Sequence, residues 1–206
     1  MIERSRITGL VLAGGRGVRM GAVDKGLEPF DGRPLVAHAI ARLANQVGPI
    51  VLSANQHRDV YESFGHPVVA DRIDGHAGPL AGIDAALAGC ATDFLVVVPC
   101  DAPFFPLDLV AQLANAFTLK VNEGPADRAD IEAAVACTSV RTHPVFCMVR
   151  RATSAALTAY LEAGRRSVAG WLASLQSREV SFADEEAFRN LNTPQDLHDA
   201  QVRRDR

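Results

Sequence analysis

Ile7-Thr8-Gly9-Leu10-Val11-Leu12-Ala13, running without a break into Gly14-Gly15-Arg16-Gly17-Val18-Arg19-Met20-Gly21, is the stretch that decides the fold. A mostly apolar run of strand length that empties into a glycine-rich turn carrying arginines marks a buried strand delivering its C-terminal end to a ligand. Outward from it, short β-branched runs alternate with longer segments of helical period, which predicts an α/β chain with a mostly parallel sheet covered by helices. The further strands are expected at Ile50 to Ser53, Pro67 to Ala70, Phe94 to Val98, Ala133 to Ser139, Pro144 to Val149 and Arg178 to Phe182. Helices are expected at Pro34 to Asn45, Leu80 to Ala88, Pro106 to Phe117, Ala152 to Ala163 and Ser167 to Leu175. A last helix starts at Thr193, with Thr as cap, Pro194 in the first helical position and Asp196 in the first turn. Lys120 to Asp130 reads as a loop, and Val202 to Arg206 as a frayed tail.

Composition narrows the function classes. A chain of 206 residues, 48% hydrophobic and 22% charged, suits one globular α/β domain. Its formal net charge of −3 gives no overall attraction to nucleic acid or to an anionic membrane, so anionic ligands must be held by local clusters. Cys90, Cys100, Cys137 and Cys147 show no C-x-x-C pairing, which predicts reduced, mostly buried thiols. Arg4 and Arg6 ahead of the first strand imitate a signal peptide only superficially, since the apolar run is broken by Thr8 and Gly9 and leads into a charged loop. With no stretch of membrane-spanning length, the expectation is a cytoplasmic monomer without membrane or nucleic-acid partners.

The glycine loop is neither of two familiar phosphate motifs. A Walker loop needs Gly-Lys followed by Ser or Thr, whereas Lys25 follows Asp24 and precedes Gly26. A dinucleotide fingerprint needs a third glycine where Met20 stands, and an acid ending the second strand where Ser53 stands. What remains has its own logic: glycines admit backbone N–H groups close to phosphate oxygens, and Arg19 and Lys25 neutralise charge. Such a loop suits a triphosphate; the bland alternative is a glycine turn with solvated cations.

Other candidates lie downstream. Asp101, just past the strand Phe94 to Val98, stands where open α/β sheets place ligands and can hold magnesium; otherwise it caps the helix after Pro106 or stabilises the turn. Gly78-Pro79-Leu80-Ala81-Gly82 opens a helix whose N-terminal donors can face a ligand, or is ordinary turn-to-helix punctuation. Asn190 and Asn192 share one side of an extended segment and can offer amides to a metal or phosphates, or cap the last helix.

Taken together, these motifs resemble the molybdenum cofactor guanylyltransferases. Leu12-Ala13-Gly14-Gly15, Arg19-Met20-Gly21, Lys25-Gly26, Gly78 to Gly82, Pro99-Cys100-Asp101-Ala102-Pro103, His143-Pro144 and Asn190-Leu191-Asn192-Thr193-Pro194 stand in that family's order and span nearly the whole chain. The resemblance implies a single three-layer α/β/α domain over residues 1–206, Rossmann-like in its sheet, with a GTP-binding N-terminal half and a pterin-binding C-terminal half. It implies transfer of GMP from GTP to the terminal phosphate of molybdopterin, with magnesium on Asp101 and pyrophosphate released. Arg19, Lys25 and Asp101 are then the catalytic set. Ligand contacts are implied at Leu12, Ala13, Gly14, Gly15, Lys25, Ser53, Asn55, Asp71, Gly78, Asp101, His143, Asn190 and Asn192.

Two departures qualify the match. The family commonly shows Asn at the position of Ser53, and a second basic residue at that of Ser167. Arg141, His143, Arg165 and Arg166 are the cations available to a phosphorylated pterin, or else solvated charges and a satisfied histidine. Proteins of molybdenum insertion and molybdoenzyme maturation are the implied partners. Three rival readings remain. One is a cytidylyltransferase on the same pterin, whose group tends to carry Ala-Ala-Gly where this chain reads Ala13-Gly14-Gly15; the others are a non-catalytic GTP sensor or cofactor scaffold and transfer onto a sugar phosphate.

Overall fold

In the computed structural model, which describes residues 2–13, 16–17, 23–72, 78–118 and 130–204, none of the residues of strand β1 (Ile7–Leu12) is exposed. Neighbours on both sides and helices on both faces account for this. The sheet also contains β2 (Ile50–Ser53), β3 (Val68–Val69), β4 (Phe94–Pro99), β5 (Ala133–Cys137), β6 (Thr142–Arg150) and β7 (Ser177–Ser181), in the order β7-β5-β6-β4-β1-β2-β3. Only β6 is antiparallel to its neighbours β4 and β5. A short turn, closed by the Thr138 N–H on the Arg141 carbonyl at 2.9 Å, leaves no room for the crossover that a parallel strand needs. The start of β6 therefore returns to the edge where the parallel strands end.

Strand β4 shows why the sheet is buried on both faces. Val96 and Val98 pack into one cluster with Ile7, Val11, Leu43 of α1 (Leu35–Ala44), and Leu109 and Leu113 of α4 (Leu109–Ala116). Leu95 and Val97 enter the opposite cluster with Leu10, Leu80, Ile83 and Leu87 of α3 (Pro79–Ala88), Leu157 of α5 (Ser154–Glu162) and Trp171 of α6 (Val168–Leu172). The period-2 alternation of side chains explains the division, and an uninterrupted apolar run is its sequence signature. A short helix α2 (Arg58–Glu62) follows β2, and α7 (Pro194–Arg204) packs through Leu197 and Ala200 against Phe30, Leu35 and Leu191.

All seven expected strands and six expected helices are present, with shifted ends. α6 stops at Leu172, three residues before its expected end, and α7 continues helically to Arg204 where a frayed tail was expected from Val202. Thr193 and Asp196 cap α7 reciprocally: the Thr193 hydroxyl accepts from the Asp196 N–H at 3.1 Å, and the Asp196 carboxylate accepts from the Thr193 N–H at 2.9 Å. The hairpin Pro29–Phe30 with Arg33–Pro34 was not expected, although Asp31-Gly32 at its tip, both at positive φ, is the dipeptide such a turn favours. The loop expected at Lys120 to Asp130 lies outside the described residues up to 129. No helix among the described residues is long and apolar enough to cross a membrane.

Two glycines are fixed by their surroundings. Gly78, immediately before α3, has φ 64° and ψ −154°, a region essentially closed to residues with a side chain. Gly82 lies inside α3 against the end of the sheet: a Cβ there would collide with the Ser53 hydroxyl and lie 3.0 Å from Leu12 Cδ2. Alanine within a helix ordinarily stabilises, so Gly82→Ala isolates this contact. It should lower unfolding stability by about 1–3 kcal/mol, read from the denaturation midpoint, because Ser53 is buried and Leu12 partly so.

Candidate active site

The C-terminal ends of β1 and β4 are adjacent in register, Leu12 beside Pro99, and the Cys100 N–H extends the ladder onto the Leu12 carbonyl at 3.0 Å. On the other side Ala13 donates to the Ser53 carbonyl at 2.9 Å, which carries β1 on past its last paired residue. The strands that flank β1 thus bring Asp101 and the residues after Ser53 to one edge. This is the topological switch point, where β1 separates β2 from β4.

Lys25 crosses that edge. Its Nζ donates to Asp101 Oδ2 at 2.5 Å and to the Asn192 side-chain carbonyl, so residues 25, 101 and 192 meet at one ammonium group. Lys25 is 19% and Asp101 15% exposed, which keeps the pair near the surface yet shielded from most of the solvent. The Leu191 N–H, bonded to the Asp101 carbonyl at 2.7 Å, fixes the segment that carries Asn192. Asn190 and Asn192 are exposed on either side of buried Leu191, the alternation expected of an extended segment. Asp101 does not cap the helix after Pro106, and Asn192 sends its side chain to Lys25, leaving the capping of α7 to Thr193 and Asp196.

Lys25 is itself held from behind. Asp24 accepts from the Gly26 N–H at 3.2 Å and from the Tyr61 hydroxyl at 2.6 Å, and its second oxygen meets His57 Nδ1 at 2.9 Å. Burial, and then the Asp24 carboxylate, push the Tyr61 phenol far above its ordinary range, so Tyr61 remains a donor. Gly26 is required here, since a Cβ would collide with the Tyr61 hydroxyl. Sequence reading missed Asp24, His57 and Tyr61. Asp24 adjoins Lys25, but nothing in the spacing ties it to a tyrosine 37 residues away.

The remaining candidates divide. Asn55 and Asp71 clasp each other beyond β2 and β3, the Asn55 amide donating to Asp71 Oδ2 at 2.8 Å and the Asp71 N–H to Asn55 Oδ1 at 2.9 Å. Ser53 is buried at 3%, its hydroxyl turned against Gly82, so its side chain packs where a ligand contact was expected. Leu12 and Ala13 line the root of the loop, while Gly14, Gly15 and Arg19 lie outside the described residues. His143 has the surroundings of a satisfied histidine: it is 6% exposed and stacked on Phe188, with centroids 4.6 Å apart, and its Nε2 lies 3.1 Å from Glu185. Arg141 pairs with Glu185 at 3.0 Å. Arg166 donates to the Leu161 and Arg165 carbonyls at the end of α5, and Arg165 lies over the Tyr160 ring. The last two therefore stabilise a helix end where phosphate contacts were expected.

The chemistry available follows from one orphaned atom. Asp101 Oδ1 is buried and has no hydrogen-bond partner among the described residues, although Oδ2 holds Lys25. A buried carboxylate oxygen left unpaired is costly unless a cation completes it. Among the described residues no three His, Cys, Asp or Glu side chains converge on a metal position. The buried Oδ1 fits magnesium, which is ordinarily bound through one or two carboxylates together with substrate phosphates and water. The adjacent Cys100 is no rival nucleophile: burial, and then the Asp101 carboxylate, push its thiol well above the usual thiol range.

A lysine–carboxylate pair where two parallel central strands end side by side, in a sheet reversed only at β6, is the setting of a nucleotidyltransferase. The sequence model of the MobA-like NTP transferase domain matches residues 9–178, and the chain belongs to that family. It is 44% identical to the molybdenum cofactor guanylyltransferase of Ralstonia nicotianae, over 99% of this chain and all of that protein. It is 45% identical to the protein of the same name from Cupriavidus necator, over 98% of this chain and all of that one. Among solved structures it resembles molybdopterin-guanine dinucleotide biosynthesis protein A from Archaeoglobus fulgidus, with TM-score 0.72 and 20% identity over 96% of this chain and 98% of that one. A CMP:2-keto-3-deoxy-manno-octonic acid synthetase complexed with CTP shares the fold at TM-score 0.73 and 14% identity, over 98% of this chain and 99% of that one.

Proposed function

We propose that the chain transfers GMP from GTP to the terminal phosphate of molybdopterin, forming the guanine dinucleotide cofactor and releasing pyrophosphate. The observation that carries the reading is the Lys25–Asp101 pair with its orphaned carboxylate oxygen, set at the joined ends of β1 and β4. Full-length identity to proteins named for this activity supplies the substrates.

A phosphate monoester has a second pKa of about 6 and is largely a dianion at neutral pH, so the acceptor needs no general base. One of its oxygens forms a bond to the α-phosphorus of GTP while the bond from that phosphorus to the bridging oxygen breaks, and the electron pair leaves with pyrophosphate. Lys25, with Arg19 of the glycine loop, neutralises the growing charge on the leaving phosphates. Asp101 would hold magnesium through Oδ1, and the ion when bound supplies Lewis-acid charge neutralisation. Asn192 orients the Lys25 ammonium, and Asn55 and Asp71 offer polar groups to the nucleoside. We place the GTP in the N-terminal half and the pterin against the C-terminal half of a single domain, working as a cytoplasmic monomer alongside proteins of molybdenum insertion and enzyme maturation.

Pyrophosphate release measured with purified protein tests this reading. It should require GTP, molybdopterin and magnesium together. Tight GTP binding without any release would instead mark a nucleotide sensor or scaffold.

A further inference from the structure

The segment that brings Asn192 to Lys25 is anchored at a distance from both. It leaves β7 through Phe182, whose N–H bonds the Cys137 carbonyl at 2.8 Å, and passes Glu185 and Phe188 before Leu191 docks on Asp101. Glu185 is gathered by three groups from the β5–β6 turn and the start of β6: the Thr138 hydroxyl, Arg141 Nε at 3.0 Å and His143 Nε2 at 3.1 Å. Phe188 lies against His143 with an interplanar angle of 18°, and packs edge-on against Phe146 at 5.0 Å and Phe182 at 5.3 Å. His143 therefore grips the segment twice, through the Glu185 carboxylate seven residues before Asn192 and through the Phe188 ring four residues before it. A buried polar side chain with its ring face and its Nε2 both committed is well suited to fix a register.

We infer that His143 is a positioning residue: with Glu185 and Phe188 it clamps residues 185–192 so that Asn192 meets Lys25 at the reacting phosphates. Burial lowers the basicity of the imidazole against the pull of Glu185, so the ring is a neutral donor to that carboxylate at physiological pH. Two interactions separated by β6 and the Phe188 cluster are thereby linked: loosening the clamp moves Asn192, and Lys25 loses one of its two fixed partners. Misplacement of a charge-bearing group by about an ångström costs up to roughly a hundredfold in rate.

The inference rests on the transferase reading above, so the test separates the two. In wild-type protein that makes the dinucleotide, His143→Ala should lower kcat by roughly tenfold to a hundredfold with KM for GTP and for molybdopterin little changed. His143→Gln, which keeps a donor for Glu185, should recover part of that loss. In an Asn192→Ala background the His143→Ala change should cost no further rate, because the group it positions is gone. Amide hydrogen exchange across residues 185–192 should quicken in His143→Ala, a readout that needs no activity. Full additivity of the two substitutions, unaltered exchange, or a raised KM for molybdopterin at unchanged kcat would overturn the clamp. A wild-type protein that makes no dinucleotide overturns the transferase reading instead, and the exchange result then still decides the clamp. Should His143→Ala fail to fold, Glu185→Gln, which keeps its size while losing its charge, carries the same predictions.

Discussion

Lys25→Ala should lower turnover by roughly two or more orders of magnitude while leaving the fold intact, measured as single-turnover dinucleotide formation on purified protein. The argument is geometric. Lys25 is the group on which Asp101 and Asn192 converge, at the edge where β1 and β4 end and the triphosphate is proposed to lie. An ammonium fixed in advance at that point does not need to be drawn there as charge develops, which is where preorganised electrostatic groups gain most of their effect. The loss should fall on kcat more than on KM for GTP, because the charge matters most as pyrophosphate departs. The fold should survive, since the clusters that hold the sheet do not include Lys25. Near-normal single-turnover rates would remove Lys25 from the catalytic set.

Asp101→Ala should have an effect of the same size for a different reason. Oδ1 is buried and unpaired among the described residues, and Oδ2 is held by Lys25, so the carboxylate has one oxygen for the lysine and one for a cation. Removing it deletes both functions. Asp101→Asn separates them: the amide keeps the size and leaves Lys25 a carbonyl to bind, but offers a divalent ion no charge. Both variants should stay slow by roughly two or more orders of magnitude, and raising magnesium should not restore them, because the ligand itself is missing. Recovery of Asp101→Asn at high magnesium would mean that the ion is held elsewhere.

The fold was legible in the sequence because this sheet is buried on both faces. Phe94 to Val98 reads as a continuous apolar run and Ile7 to Ala13 as a mostly apolar one, and such runs survive as central strands. β3 was the least legible, two paired residues at an edge where four were expected, since an edge strand shares its burial with only one neighbour. Lys25, Asp101 and Asn192 were all recognisable from their motifs, yet their meeting at one nitrogen spans 76 and 167 residues of chain and is settled only by topology.

The residues that support the site left no such trace. Tyr61 under Asp24, and Glu185 beside His143, are joined through tertiary packing, and neither pair has a spacing that helix or strand periodicity would reveal. His143 was read as a candidate pterin contact because its motif was recognised; its burial against Phe188 belongs to a link between β6 and a segment some forty residues later. Ser53 likewise was read from the family's pattern, whereas its burial comes from Gly82, whose missing side chain lets α3 close over it.

The most direct test of the central claim is the product made when purified protein meets molybdopterin, magnesium and equal amounts of GTP and CTP, each labelled at its α-phosphate. The account predicts a guanine dinucleotide of molybdopterin, one pyrophosphate released per molecule formed, and none of it with Lys25→Ala on the same time scale. Incorporation of CMP alone, or GTP bound with no label reaching the pterin, would contradict it.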